Sequence, residues 1–279
     1  MLDFFRDMPV NPFLGRGLLA GLLASLACGI IGPYVVTRRV VFLSGAIAHM
    51  AVGGIGAAVF LAIQFPQALG WMRPIHGAML SALAAAVLMG YVNERVTERM
   101  DTLIGALWAV GMATGILLIK FTPGYYGELM TYLFGNIVYI SPSDLRLMAV
   151  LDAVIIAAVL VWHKRLLAIC LDQEQAELQG VNVLAANIVL LCLVALTVIS
   201  LTQMVGLILV IALLSLPAAT AAHHVRRMGP MMLVATLLCA LLTTLPRIAV
   251  YGTRISAESA IVLAAGGVYL ASVVYRRVR

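Results

Sequence analysis

Charge is scarce in this chain. Of 279 residues only 11% are Asp, Glu, Lys or Arg, against about 25% in a soluble domain. Length alone suggests two soluble domains, but the polar side chains needed to coat them are missing, so a water-soluble enzyme is excluded. Cysteine is sparse too. Cys28, Cys170, Cys192 and Cys239 form no CxxC pair, so they read as small buried apolar groups rather than a disulfide framework or zinc knuckle. Aromatics make up 7% and no basic stripe interleaves with them, which argues against nucleic acid as a partner. No GxxxxGK[ST] phosphate loop, HExxH helix or GxSxG elbow occurs, so the chain is not expected to hydrolyse ATP or to be an enzyme itself. The first 16 residues hold Asp3, Arg6, Asp7, Pro9, Pro12 and Arg16, unlike a cleavable leader, and the first helix is expected to stay in the protein.

What fills the chain instead is oil. Hydrophobic residues make up 63% and the mean hydropathy is +1.06. A hydrocarbon layer about 30 Å thick needs roughly 20 helical residues per crossing. Apolar runs of that length fall at 15–36, 44–65, 75–93, 102–120, 146–163, 183–201, 204–223, 230–246 and 257–275. The expectation is an all-α, polytopic membrane bundle of about nine crossings forming one domain over residues 1–279. Ser200–Gln203 reads as a tight hairpin between two of them. A tenth apolar stretch, 127–141, lies between Pro123-Gly124 and Pro142; it fits a short re-entrant helix, an interfacial segment or a further crossing.

The net charge is +6, and its distribution gives an orientation. With the N-terminus outside, eleven of the 18 Lys and Arg fall on one side, including Arg38, Arg39, Arg95, Arg99, Arg226, Arg227, Arg276 and Arg277. That side is expected to be cytoplasmic. The loop 164–182 lies there and carries Asp172, Glu174 and Glu177 ahead of Gly180. Asp172 is suited to cap a short helix that Gly180 ends. The segment reads as a surface linker or as a docking helix for a cytoplasmic partner.

Small residues recur at helical spacing: Gly17, Gly21 and Ala24; Gly45, His49, Gly53 and Gly56; Gly111 and Gly115. Such stripes let helices approach closely in lipid, where no hydrophobic drive joins them. Ionisable groups at membrane depth invite a functional reason. His49 shares its face with Gly45, Gly53 and Gly56, and a neutral imidazole there suits a divalent metal, a proton or plain packing. Asp152 lies one to two turns into its crossing, near the outer interface. His76, His163, His223 and His224 fall at helix ends, where structural or interfacial roles suffice.

Four separated blocks resemble the permeases of zinc- and manganese-type metal ABC transporters. They are Gly32-Pro33-Tyr34-Val35-Val36-Thr37-Arg38-Arg39 running to Gly45-Ala46-Ile47-Ala48-His49; Tyr132-Leu133-Phe134-Gly135-Asn136-Ile137 with Ser141 to Leu145; Leu171-Asp172 to Gly180-Val181; and Val205-Gly206-Leu207 running to Leu216-Pro217-Ala218-Ala219-Thr220-Ala221. The resemblance implies a homodimeric permease in a bacterial inner membrane, bound to separate ATPase subunits and fed by an extracytoplasmic metal-binding protein. It implies transport of Zn²⁺, Mn²⁺ or Fe²⁺ with no resident cofactor. Asp172, Glu174, Glu177 and Gly180 would belong to the segment that couples to the ATPase. His49 matches a histidine of the family's metal path, but the family's aspartate one turn earlier falls on Gly45 here. Asp152 is the candidate to compensate. A secondary transporter, a channel or a membrane scaffold are the alternatives that need no ATPase.

Overall fold

The computed structural model describes residues 2–95, 100–122, 140–253 and 255–278. Among them every regular element is a helix, in the order α1 (Leu2–Asp7), α2 (Pro12–Thr37), α3 (Val41–Gln64), α4 (Pro66–Leu69), α5 (Pro74–Arg95), α6 (Met100–Lys120), α7 (Pro142–Leu171), α8 (Gln173–Leu178), α9 (Val183–His224), α10 (Met228–Ala249) and α11 (Ala257–Val278). Eight helical segments are long and apolar enough to cross a membrane, and Leu209–His224 is a shorter apolar one. The sequence-based count of nine agrees with this. The stretch 127–141 falls almost wholly outside the described residues.

Helix ends follow the local sequence. Asn11 caps α2 by accepting a hydrogen bond from the Phe13 N–H at 3.0 Å, with Pro12 in the first turn, where its missing N–H costs nothing. At α7 the Ser141 N–H donates to Asp144 Oδ2 at 3.0 Å and the Asp144 N–H donates to Ser141 Oγ at 3.2 Å. This reciprocal pair is a capping box, and it starts α7 at Pro142, about a turn earlier than the hydropathy pattern suggests.

The expected hairpin at Ser200–Gln203 is helix instead. The break in α9 falls at Gly206, with φ 67° and ψ 172°, a conformation open chiefly to a residue without Cβ. Within the polar run that suggested a turn, Ser200 is satisfied inside the protein. Ser200 is fully buried and its hydroxyl donates to Asp152 Oδ1 at 3.5 Å.

The helices group into two compact units. The first comprises Met1–Arg39, Gly135–Val161 and Ser200–Arg279; the second comprises Val40–Phe134 and Trp162–Ile199. In the first, α2 packs on α10 and α10 on α11. Ser25 and Thr243 hydroxyls meet at 3.4 Å across the α2–α10 seam. Helix α10 has two unlike faces. Met231, Ala235, Cys239 and Thr243 are buried, while Leu233, Leu237, Leu241 and Leu245 stand 51–61% exposed along the opposite side.

In the second unit, α3 is the central helix and packs on both α5 and α6. Its glycines set the spacing. A Cβ placed on Gly53 would lie 2.9 Å from the Gly111 carbonyl oxygen, and one on Gly56 would lie 2.6 Å from that of Gly115. On the other side, Gly54 and Gly77 bring the backbones of α3 and α5 into direct contact. Close approach of this kind gives dispersion and weak backbone contacts that larger residues would forfeit.

Candidate functional site

His49 lies one turn before Gly53 on α3, in the second unit. Its ring stacks on Trp108 of α6, with centroids 4.5 Å apart and planes 24° from parallel. The close α3–α6 seam explains this stack. Gly111, one turn after Trp108, is so near α3 that an added Cβ would lie 2.8 Å from the His49 carbonyl oxygen and from Met50 Cα. The seam therefore drops the indole onto the imidazole. His49 Nδ1 is buried and finds no hydrogen-bond partner among the described residues. Gly45, one turn earlier, is buried and supplies no carboxylate.

Asp152 lies in the first unit, on α7. Because α7 begins at Pro142, Asp152 sits about 15 Å along the helix at 1.5 Å per residue. It is 3% exposed. Ser200 donates to Oδ1, while Oδ2 is buried with no partner among the described residues. His49 and Asp152 thus belong to different units. Among the described residues no three His, Cys, Asp or Glu side chains gather in a group able to hold a metal ion. His49 and Asp152 are single donors, suited to brief contact with a passing cation rather than to storage.

The 172–180 segment has the local structure its sequence suggests. Asp172 Oδ1 accepts from the Gln175 N–H at 3.1 Å at the start of α8. Gly180, at φ 79°, ends it, with the Val181 N–H donating to the Ala176 carbonyl at 3.0 Å. The left-handed residue and the six-to-one bond make a Schellman ending. Ala176 is buried and seats the helix, while Glu174, Glu177 and Gly180 are exposed. Leu171 and Leu178 are 75% and 89% exposed. Residues 171–178 therefore offer the exposed carboxylates of Glu174 and Glu177 and two large apolar side chains.

Two sets of residues escaped the sequence reading. Trp108 is one, although its spacing to Gly111 and Gly115 puts it on the noted stripe. The other is Glu94, at the centre of a polar node on the second unit. Glu94 Oε1, at the end of α5, accepts from Gln173 Nε2 of α8 at 2.9 Å, from Asn93 Nδ2 at 3.0 Å and from Asn187 Nδ2 of α9. Of the remaining histidines, His76, His223 and His224 do structural work at helix ends, whereas His163, expected at an end, lies inside α7 well before its last residue, Leu171. His76 Nδ1 accepts from the Arg73 N–H at 3.1 Å. His223 Nδ1 and His224 Nε2 lie 2.9 and 3.0 Å from Ser272 Oγ of α11.

Comparison with known proteins bears on what these residues serve. The chain is 36% identical over 266 residues to a Chlamydia trachomatis protein named "Probable metal transport system membrane protein", covering 95% of this chain and 90% of the other. It is 29% identical over 233 residues to the Listeria monocytogenes "Manganese transport system membrane protein MntC", covering 84% and 80%. Its fold matches PsaBC from Streptococcus pneumoniae, solved in complex with Fab, with a TM-score of 0.84 at 26% identity over 98% of this chain and 95% of that one. The profile of the ABC 3 transport family matches residues 10–276. The chain is therefore a multi-pass membrane permease subunit, not itself an enzyme, and belongs to the ABC 3 transport family.

Proposed function

We propose that this protein is the permease through which an ATP-driven importer passes a divalent transition metal, with Mn²⁺ as its substrate and Zn²⁺ and Fe²⁺ as competitors. Residues 1–279 act as one permease domain and pair with a second copy. A separate ATPase docks on the cytoplasmic side against α8, and an extracytoplasmic metal-binding protein loads the outer side. The manganese relative supports the choice of ion. The single observation that carries the path is His49, a membrane-depth imidazole whose buried Nδ1 has no partner among the described residues.

In this reading His49 is a transit ligand. An imidazole without the family's neighbouring carboxylate binds a hard ion such as Mn²⁺ weakly, and a path must release what it binds. Asp152 supplies the charge that offsets the cation's desolvation in the other unit. Glu174 and Glu177 attract a basic surface of the ATPase, and Leu171 and Leu178 fill apolar pockets on it. Gly45, Gly53 and Gly56 serve helix packing beside His49.

The test is ⁵⁴Mn²⁺ uptake into proteoliposomes holding the permease with its ATPase, with and without ATP. Uptake should require ATP and be competed by unlabelled Mn²⁺. His49→Ala should lower it at least tenfold with unchanged dimer yield. Uptake without ATP would return the protein to the secondary-transporter reading, and full uptake by His49→Ala would return His49 to packing.

A further inference from the structure

Among the described residues, one carboxylate links α8 to two of the membrane helices. Glu94 Oε1 gathers three side-chain amides: Asn93 beside it on α5, Gln173 on α8 and Asn187 on α9. Asn187 is 5% exposed, its bond to Glu94 is partly buried, and bonds to an ionised acceptor are about twice as strong as neutral ones. One turn earlier on α5, Gly90 lets Ile188 of α9 come close: a Cβ there would lie 2.8 Å from Ile188 Cγ1. The end of α5 is thus locked to the start of α9 by packing and by charge. Gln173 ties α8 to the same carboxylate, and Ala176 of α8 is buried. Further along α5, Gly77 rests on Gly54 of α3 with backbone against backbone, and α3 carries His49. The direct Gly54–Gly77 contact leaves no soft side chain to absorb a displacement.

We propose that Glu94 is the positioning residue that fastens α8 to α5 and α9, so that a push on α8 is carried through α5 and the Gly54–Gly77 contact into the helix of His49. Glu94 touches neither metal nor ATPase. It acts by making α8, α5 and α9 move as one piece. The inference rests on the reading above that α8 receives the ATPase.

The experiment compares Glu94→Ala, Glu94→Gln and Gln173→Ala with a Glu174→Lys/Glu177→Lys double variant. Each is purified as the full complex with its ATPase and scored for ATPase co-purification, ATP hydrolysed and ⁵⁴Mn²⁺ imported. Glu94→Ala should keep the ATPase bound while metal moved per ATP falls roughly tenfold, within the usual range of coupling energies. Glu94→Gln keeps an oxygen acceptor at the node and should fall less. Gln173→Ala removes one surface donor and should show the same direction if Glu94→Ala fails to assemble. Unchanged metal per ATP in Glu94→Ala or, where that variant does not assemble, in Gln173→Ala overturns the proposal. So does loss of the ATPase from a Glu94 variant whose permease still folds as a dimer, since Glu94 would then support docking rather than transmission. Retention of the ATPase by the Glu174/Glu177 double variant counts separately, against α8 as the docking site.

Discussion

The glycine seam between α3 and α6 makes a prediction in which local and tertiary effects separate cleanly. Gly105 and Gly111 lie on the same helix. A Cβ on Gly105 meets nothing within 4 Å, whereas one on Gly111 would lie 2.8 Å from His49 O and from Met50 N and Cα. Those are backbone atoms and cannot rotate away. Ordinary contact lies at about 3.5–4.0 Å, so Gly111→Ala must open the seam by roughly 0.7–1.2 Å at that point. Both substitutions gain the same helix propensity, ~1 kcal/mol. The difference between them therefore isolates the overpacking cost, about 1–3 kcal/mol. Unfolding of the purified protein by SDS in mixed micelles should show Gly105→Ala equal to or more stable than the parent, and Gly111→Ala less stable than Gly105→Ala by that amount. Fluorescence adds a second reading, because Trp108 lies one turn from Gly111. Its emission should shift in Gly111→Ala and not in Gly105→Ala. Equal SDS midpoints for the two variants would refute the close seam and, with it, the explanation of the His49–Trp108 stack.

Other outcomes follow from the same geometry. Trp108→Leu removes a ring contact worth about 0.5–1.5 kcal/mol and should raise the KM for Mn²⁺ severalfold with a smaller change in kcat; an unchanged KM would mean that the stack does not orient the imidazole. Asp172→Ala deletes the cap of α8 at a cost of about 1 kcal/mol and should weaken ATPase binding about fivefold in a titration against the purified ATPase. Gly180→Ala meets no atom within 4 Å but must hold φ 79°, so it should weaken the same binding through ~1 kcal/mol of backbone strain, with Gly180→Asn milder.

Much of this architecture is legible in the sequence because lipid leaves the backbone one local solution. A long apolar run must close its own hydrogen bonds, and the membrane-length helices follow from that. The ends of α8 are legible for a similar reason, since Asp172 and Gly180 act on neighbours within a few residues. The misplaced features are those decided by distant partners. Ser200, Thr202 and Gln203 look like a turn in isolation, yet Ser200 is buried against Asp152 of another helix, and the break moves to Gly206. The place of Asp152 along α7 shifts by a turn, because the Ser141–Asp144 capping box starts the helix early. Glu94 sits in a polar stretch resembling any solvated helix end. Its role emerges only when Gln173 and Asn187, far along the chain, arrive at its oxygen.

The two faces of α10 imply a particular pattern of tolerance to change. Its inward face is made of side chains chosen for size, so a methyl group more or less would be felt by α2. The ladder of Leu233, Leu237, Leu241 and Leu245 stands exposed on a helix of membrane-crossing length, and lipid against such a face is a liquid that moulds itself to any outline. On that side Ile, Phe or Met can replace Leu with little consequence, while one Lys at the centre of the row would cost about 3 kcal/mol on insertion. One flank of this helix is therefore constrained by shape and the other by polarity, and drift over generations should leave those two imprints side by side on the same 22 residues.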